Sequence, residues 1–187
     1  MTFGRAEAWA TVCEFTPSES LRRHMLAVEA AMRAYARRYG EDEETWAVVG
    51  LLHDFDYERF PDAHPQTGER ILAERGWPET VRRAILSHAD HTGVARESLM
   101  EKALCACDEV TGLIIAVALV RPDKDLGGVK VSSVRKKWKD RSFAGGVDRD
   151  QVMAAAEDLG VPLDEHLATV LAAMQDASAD LGLAGGV

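Results

Sequence analysis

Cysteine is scarce here and poorly placed for a disulfide framework. The chain has three, Cys13, Cys105 and Cys107, an odd number with no framework spacing. Cys105 and Cys107 stand two apart in a helical stretch, so their side chains diverge by about 200° and cannot share a metal ion. They read as small core residues. Long apolar runs are missing: the longest, Leu113 to Val120, is far too short to span a bilayer. The segment from Met1 to Ala10 has no apolar stretch of signal-peptide length. These absences predict a cytoplasmic protein with no membrane partner. Positive charge is short as well, 22 Lys and Arg against 31 Asp and Glu, for a net charge of -9. That disfavours an extended nucleic-acid surface, which needs a basic face to neutralise phosphates, but it leaves room for a local basic pocket. Period-two alternation is absent, so no strand is expected, and no internal repeat is evident.

What remains is helix. At 187 residues, 47% hydrophobic and 28% charged, the chain suits one domain, residues 1–187, with a full core. Thr16-Pro-Ser-Glu reads as a capping box opening a helix to about Tyr39, closed by Gly40. Asp42 caps a second helix that carries Trp46, Val49 and Leu52 and delivers His53-Asp54 at its C-terminal end. An aromatic and acidic loop follows, then helices at about 66–75, stopped by Gly76, and 79–88, opened by Pro78. Ser98-Leu-Met-Glu is another capping box, starting a helix to about Val120. The tail reads as a Gly127-Gly128 loop, a short basic helix near Ser132 to Lys139, and amphipathic helices at 149–159 and 163–181. The terminal Ala-Gly-Gly-Val is expected to fray. The fold class is all-α.

His53-Asp54 ends an apolar run, and an aspartate there meets the unfavourable end of the helix dipole, which a nearby cation would offset. His24 shares a helix face with Val28 and Ala31. Asp108 falls mid-helix among Leu104, Cys105, Cys107 and Val110, where an unpaired carboxylate would be costly. A metal would stabilise it; an arginine partner is the structural alternative. His64 precedes a helix, and His88 and His91 stand at a helix end. Each histidine alone reads equally as a satisfied core or loop residue. As an ordered set, imidazoles and carboxylates are ligands suited to Fe, Mn, Co, Ni or Zn.

The order His24, His53-Asp54, His64, His88, Asp108, with the words Gly-Leu-Leu-His-Asp and His-Pro-x-x-Gly-x-x-Ile-Leu, resembles the HD-domain superfamily of metal-dependent enzymes, largely phosphohydrolases. The resemblance implies a helical bundle with its ligand core at about 18–120 and a C-terminal helical extension at about 121–187. It implies two divalent ions bridged by Asp54: His24, His53 and Asp108 complete one site, His64 and His88 the other. A bridging hydroxide would attack phosphorus. His88 is preferred to His91 as ligand because it continues the helical register; His91 is then a substrate-facing catalytic group beside Asp54. The glycine-tyrosine-proline signature of the cyclic-di-GMP phosphodiesterase branch is absent.

Downstream, a basic run stands out in an acidic chain. Lys130, Ser133, Lys136 and Lys137 recur at about one helical turn and are expected to hold the anion of a small phosphorylated substrate, a solvated basic face being the plain alternative. Three functions follow: hydrolysis of a small phosphoester, oxygenation by a mixed-valent diiron centre of the same superfamily, or a non-catalytic metal-binding module. Oligomeric state is unreadable.

Overall fold

Side-chain caps start four of the nine α-helices among the described residues, 3–185, of the computed structural model. Helix α1 covers Arg5–Phe15, α2 Glu19–Tyr39 and α3 Glu43–Leu52. Helices α4 (Gln66–Glu74) and α5 (Glu79–Ser87) follow the His-Asp loop, then the long α6, Leu99–Leu119. The tail holds α7 (Val131–Trp138), α8 (Arg149–Asp158) and α9 (Leu163–Asp176). Among the described residues there is no strand, and a single bridge joins Asp125 to Ala184. None of these helices is long and apolar enough to cross a membrane.

Three expectations need correction. Helix α1 was not anticipated; its start at Gly4 has no side-chain cap to mark it. Thr16 does not cap α2, because its buried hydroxyl is taken by the Phe55 carbonyl at 2.9 Å. Ser18 caps instead, accepting from the Leu21 amide. The end of the chain is tied rather than frayed up to Ala184: the Leu126 amide donates to the Leu183 carbonyl at 2.8 Å, after α9 has stopped at Asp176. Gly186 and Val187 lie outside the described residues. The other signals match: Gly40 closes α2 at φ +70°, Asp42 accepts from the Thr45 amide, and Ser98 with Glu101 forms a full capping box on α6.

Helix α2 is the hub, packing chiefly on α3 and also on α6 and α9. One apolar cluster runs from Ala8 to Leu183 and includes residues of α7, α8 and α9, so the tail packs into the same core. Gly50 lets α3 approach α2 closely, for a Cβ there would stand 3.0 Å from the Glu29 backbone. That proximity sets His24 of α2 beside His53 at the end of α3. From the tail, His166 of α9 reaches into the core: the Tyr35 hydroxyl donates to its Nδ1 at 2.5 Å, and its Nε2 donates to the Ala106 carbonyl at 2.8 Å. This sixth histidine is structural. It clamps α6 two residues before Asp108.

Candidate metal centre

Four helix segments and one loop converge on Asp54. Its Oδ2 lies 3.7 Å from His24 Nε2 and 3.5 Å from His53 Nε2. Asp108 Oδ1, from α6, is 3.0 Å from His24 Nε2 and 3.4 Å from His53 Nε2. The other Asp54 oxygen, Oδ1, lies 3.3 Å from His64 Nε2 and 3.6 Å from His88 Nε2. Two donor groups result, His24, His53, Asp54 and Asp108 on one side and Asp54, His64 and His88 on the other. The six candidate ligands are brought together, and Asp54 offers one oxygen to each group.

The imidazoles are held from behind. His53 Nδ1 meets the Gly50 carbonyl at 2.8 Å, and His88 Nδ1 meets the Ile85 carbonyl. His64 Nδ1 meets the Asp56 carboxylate at 2.7 Å. His24 Nδ1 meets the Thr111 hydroxyl at 3.3 Å, whose own proton goes to the Asp108 carbonyl. Carbonyls and carboxylates only accept, so these contacts put the proton on Nδ1 of each ring and turn an Nε2 lone pair to the centre. Two pairs of such nitrogens then face each other, His24 with His53 at 3.2 Å and His64 with His88 at 3.3 Å. Opposed lone pairs at these distances repel unless a cation lies between them. The donor set therefore fits divalent metal ions with mixed nitrogen and oxygen ligands.

Electrostatics say the same. Burial alone would lower the His53 imidazolium, but Asp54 and Asp108 outweigh it and raise it to about 9. His64, likewise opposed by burial, is raised to about 9 by Asp54 and Asp56. Burial would raise Asp54 and Asp108, yet the histidines hold both well below the usual carboxylate range. Without ions, protons occupy the positive role. Cys105 and Cys107 are buried thiols outside both groups.

Asp56 is the functional residue the sequence concealed. It is fully buried, holds His64 in place, and takes the Gly68 amide at 2.7 Å on its other oxygen. Its signal was the spacing to His64-Pro-x-x-Gly68, where only a glycine leaves room: a Cβ at Gly68 would lie 2.7 Å from Asp56 Cγ.

Five of the six candidate ligands, all but the buried His53, line a cavity of about 610 Å³ whose further wall includes Tyr57, His91, Glu109, Val147 and Gln151. His91 stands at its rim as a wall residue, its Nε2 donating to the His64 carbonyl at 2.9 Å. Glu109 is half-buried and pushed up by burial and by the neighbouring Asp108. Lys130, Ser133, Lys136 and Lys137 are not brought to the cavity; none lines it. Helix α7 turns Val134 and Trp138 inward, pairs Arg135 with Asp164, and lays Lys137 over the Phe143 ring at 4.5 Å.

The wall segment around Val147 is shaped by Arg149, a buried guanidinium that donates to the carbonyls of Asp140, Phe143, Ala144 and Val147. Four carbonyls on one side chain fix a loop without regular structure.

The model of the HD domain family covers residues 21–114, half of the chain, and that span contains all six candidate ligands. No curated protein and no solved structure matches.

Proposed function

Because this chain belongs to the HD-domain family, we propose that it is a metal-dependent phosphohydrolase that cleaves a phosphoester of a small metabolite or nucleotide. The observation that supports this most is Asp54, with Oδ2 toward His24, His53 and Asp108 and Oδ1 toward His64 and His88, on the floor of an open cavity. Two divalent ions held there would supply Lewis acidity toward a phosphoryl oxygen and an acidified water as nucleophile. Fe, Mn, Co, Ni and Zn all suit the ligand types.

The protein's own contribution is positional. Gly50, Ile85, Asp56 and Thr111 fix the four rings before substrate arrives, so the ligand set pays little reorganisation during turnover. His91 steadies the His64 backbone from the rim, where it also meets whatever enters. The cavity volume falls in the range of about 300–1,000 Å³ common for small-molecule sites, which favours a compact ester over a polymer.

The test is elemental analysis of the purified protein, followed by a screen of phosphomonoesters with and without oxygen. Two ions per chain and anaerobic release of phosphate, both lost in Asp54→Ala, are expected. An absolute need for oxygen would assign the diiron oxygenase chemistry instead. A protein that binds no metal would be a non-catalytic module.

A further inference from the structure

If the phosphoryl group sits over the six ligands, the alcohol half of the ester meets the rest of the cavity wall. No lysine or arginine lines that wall, although the chain has 22 of them. Its charged groups beyond the ligands and His91 are two acids, Asp90 and Glu109, beside the phenol of Tyr57. Asp90 is neutralised by an ion pair with Arg96. Glu109 has no lysine or arginine within ion-pair distance among the described residues, while it is partly withdrawn from water. A carboxylate lining a cavity that holds no lysine or arginine is open to a positive group on the substrate. Asp108, its neighbour in sequence, faces His24 and His53, while the Asp148 amide and the more distant charge of His24 offset the burial of Glu109 only in part.

The space beside it is open. Gly112 follows Glu109 by three residues on the same face of α6, and a Cβ at Gly112 would meet only Val147 Cγ2, at 3.9 Å. Gln151 adds an uncharged hydrogen-bonding group to the same wall. A second phosphate or a carboxylate on the substrate would find no cation here and would be repelled by Glu109. A short positively charged arm would be held.

Resting on the phosphohydrolase reading, we propose that the substrate is a monophosphate ester of an amino alcohol, its ammonium group paired with Glu109 over the gap left by Gly112. The metal centre takes the anionic end and Glu109 the cationic end, so the zwitterion is oriented by both.

The experiment compares phosphoethanolamine with ethyl phosphate on the metal-loaded protein, as KM where the ester is turned over and as calorimetric Kd where it is not. Wild type should favour the ammonium ester by about tenfold, the size expected of one charge-assisted contact. Glu109→Gln should erase that ratio while keeping its full complement of metal. Equal affinity for the two esters in wild type overturns the proposal, as does a ratio that survives in Glu109→Gln. Failure to hydrolyse any ester, p-nitrophenyl phosphate included, sinks the phosphohydrolase reading alone, because the affinity ratio is read independently of turnover.

Discussion

The Gly68 amide donates to Asp56 at 2.7 Å, and the other oxygen of that buried carboxylate takes the Nδ1 proton of His64. A methyl group at Gly68 would displace Asp56 and with it the ring of His64. Gly68→Ala should weaken the ion held by His64 and His88 by about 10- to 100-fold, the usual loss when a ligand's supporting contact is removed. Gly112→Ala, which has room, should keep both ions. Metal stoichiometry by mass spectrometry distinguishes the two variants, and an unchanged second ion in Gly68→Ala would contradict the arrangement.

Asp54 serves both donor groups, whereas His64 serves one. Asp54→Ala should therefore empty both positions and abolish turnover. His64→Ala should leave about one ion per chain, held by the four remaining ligands of the first group. His91→Ala should retain both ions, since His91 touches His64 only at the backbone. Retention of two ions in Asp54→Ala would show that the carboxylate does not bridge.

The stripped protein should be pH-sensitive in a defined window. His53 and His64 are raised to about 9 in the absence of ions, against about 6.5 in an unfolded chain. Their contribution to stability is complete below about pH 6.5 and is lost as pH rises through 9. Asp54 and Asp108, held low, act oppositely: their contribution is present above about pH 4 and is lost on acidification. Scanning calorimetry of chelated protein should show Tm falling between pH 6.5 and 9. Metal should flatten that fall, because the ligating rings are already neutral, and its uptake should release protons in the same window. A flat profile in chelated protein would refute the coupling.

Arg149 donates to four loop carbonyls from a buried position. Arg149→Met keeps much of the side-chain volume but strands those acceptors, and should destabilise the fold by at least about 2 kcal/mol, given about 1–3 kcal/mol per buried group left unpaired. Metal stoichiometry should survive, because no ligand lies in that loop. Urea denaturation beside elemental analysis separates the effects; loss of metal at unchanged stability would contradict this role.

Features written in a few neighbouring residues were legible in the sequence. Ser98 with Glu101, Asp42 with Thr45, and Gly40 each act within one turn, and each marks its helix end as expected. The convergence of the six candidate ligands was legible through a family pattern rather than through spacing, since nothing local brings Asp108 to His24 across the fold. Asp56 was not legible because its burial depends on Gly68 and its purpose on His64. The basic run misled for a related reason. Charge composition does not say which way a helix faces, and Val134 with Trp138 decided that for α7.

The grip of Arg149 on the loop at 140–147 acts on main-chain carbonyls, which every residue possesses. The loop's path is thus set largely from outside it, with the Asp140 carboxylate adding its own hold on the Ser142 and Phe143 amides. Its exposed positions Arg141, Gly145 and Gly146 can mutate while Val147 and Gln151, both outside the span shared with the HD family, keep their places on the cavity wall. A library confined to Val147 and Gln151 would vary the cavity wall without touching any of the six candidate ligands. The same separation would let the wall of the cavity change while the six candidate ligands stay the same.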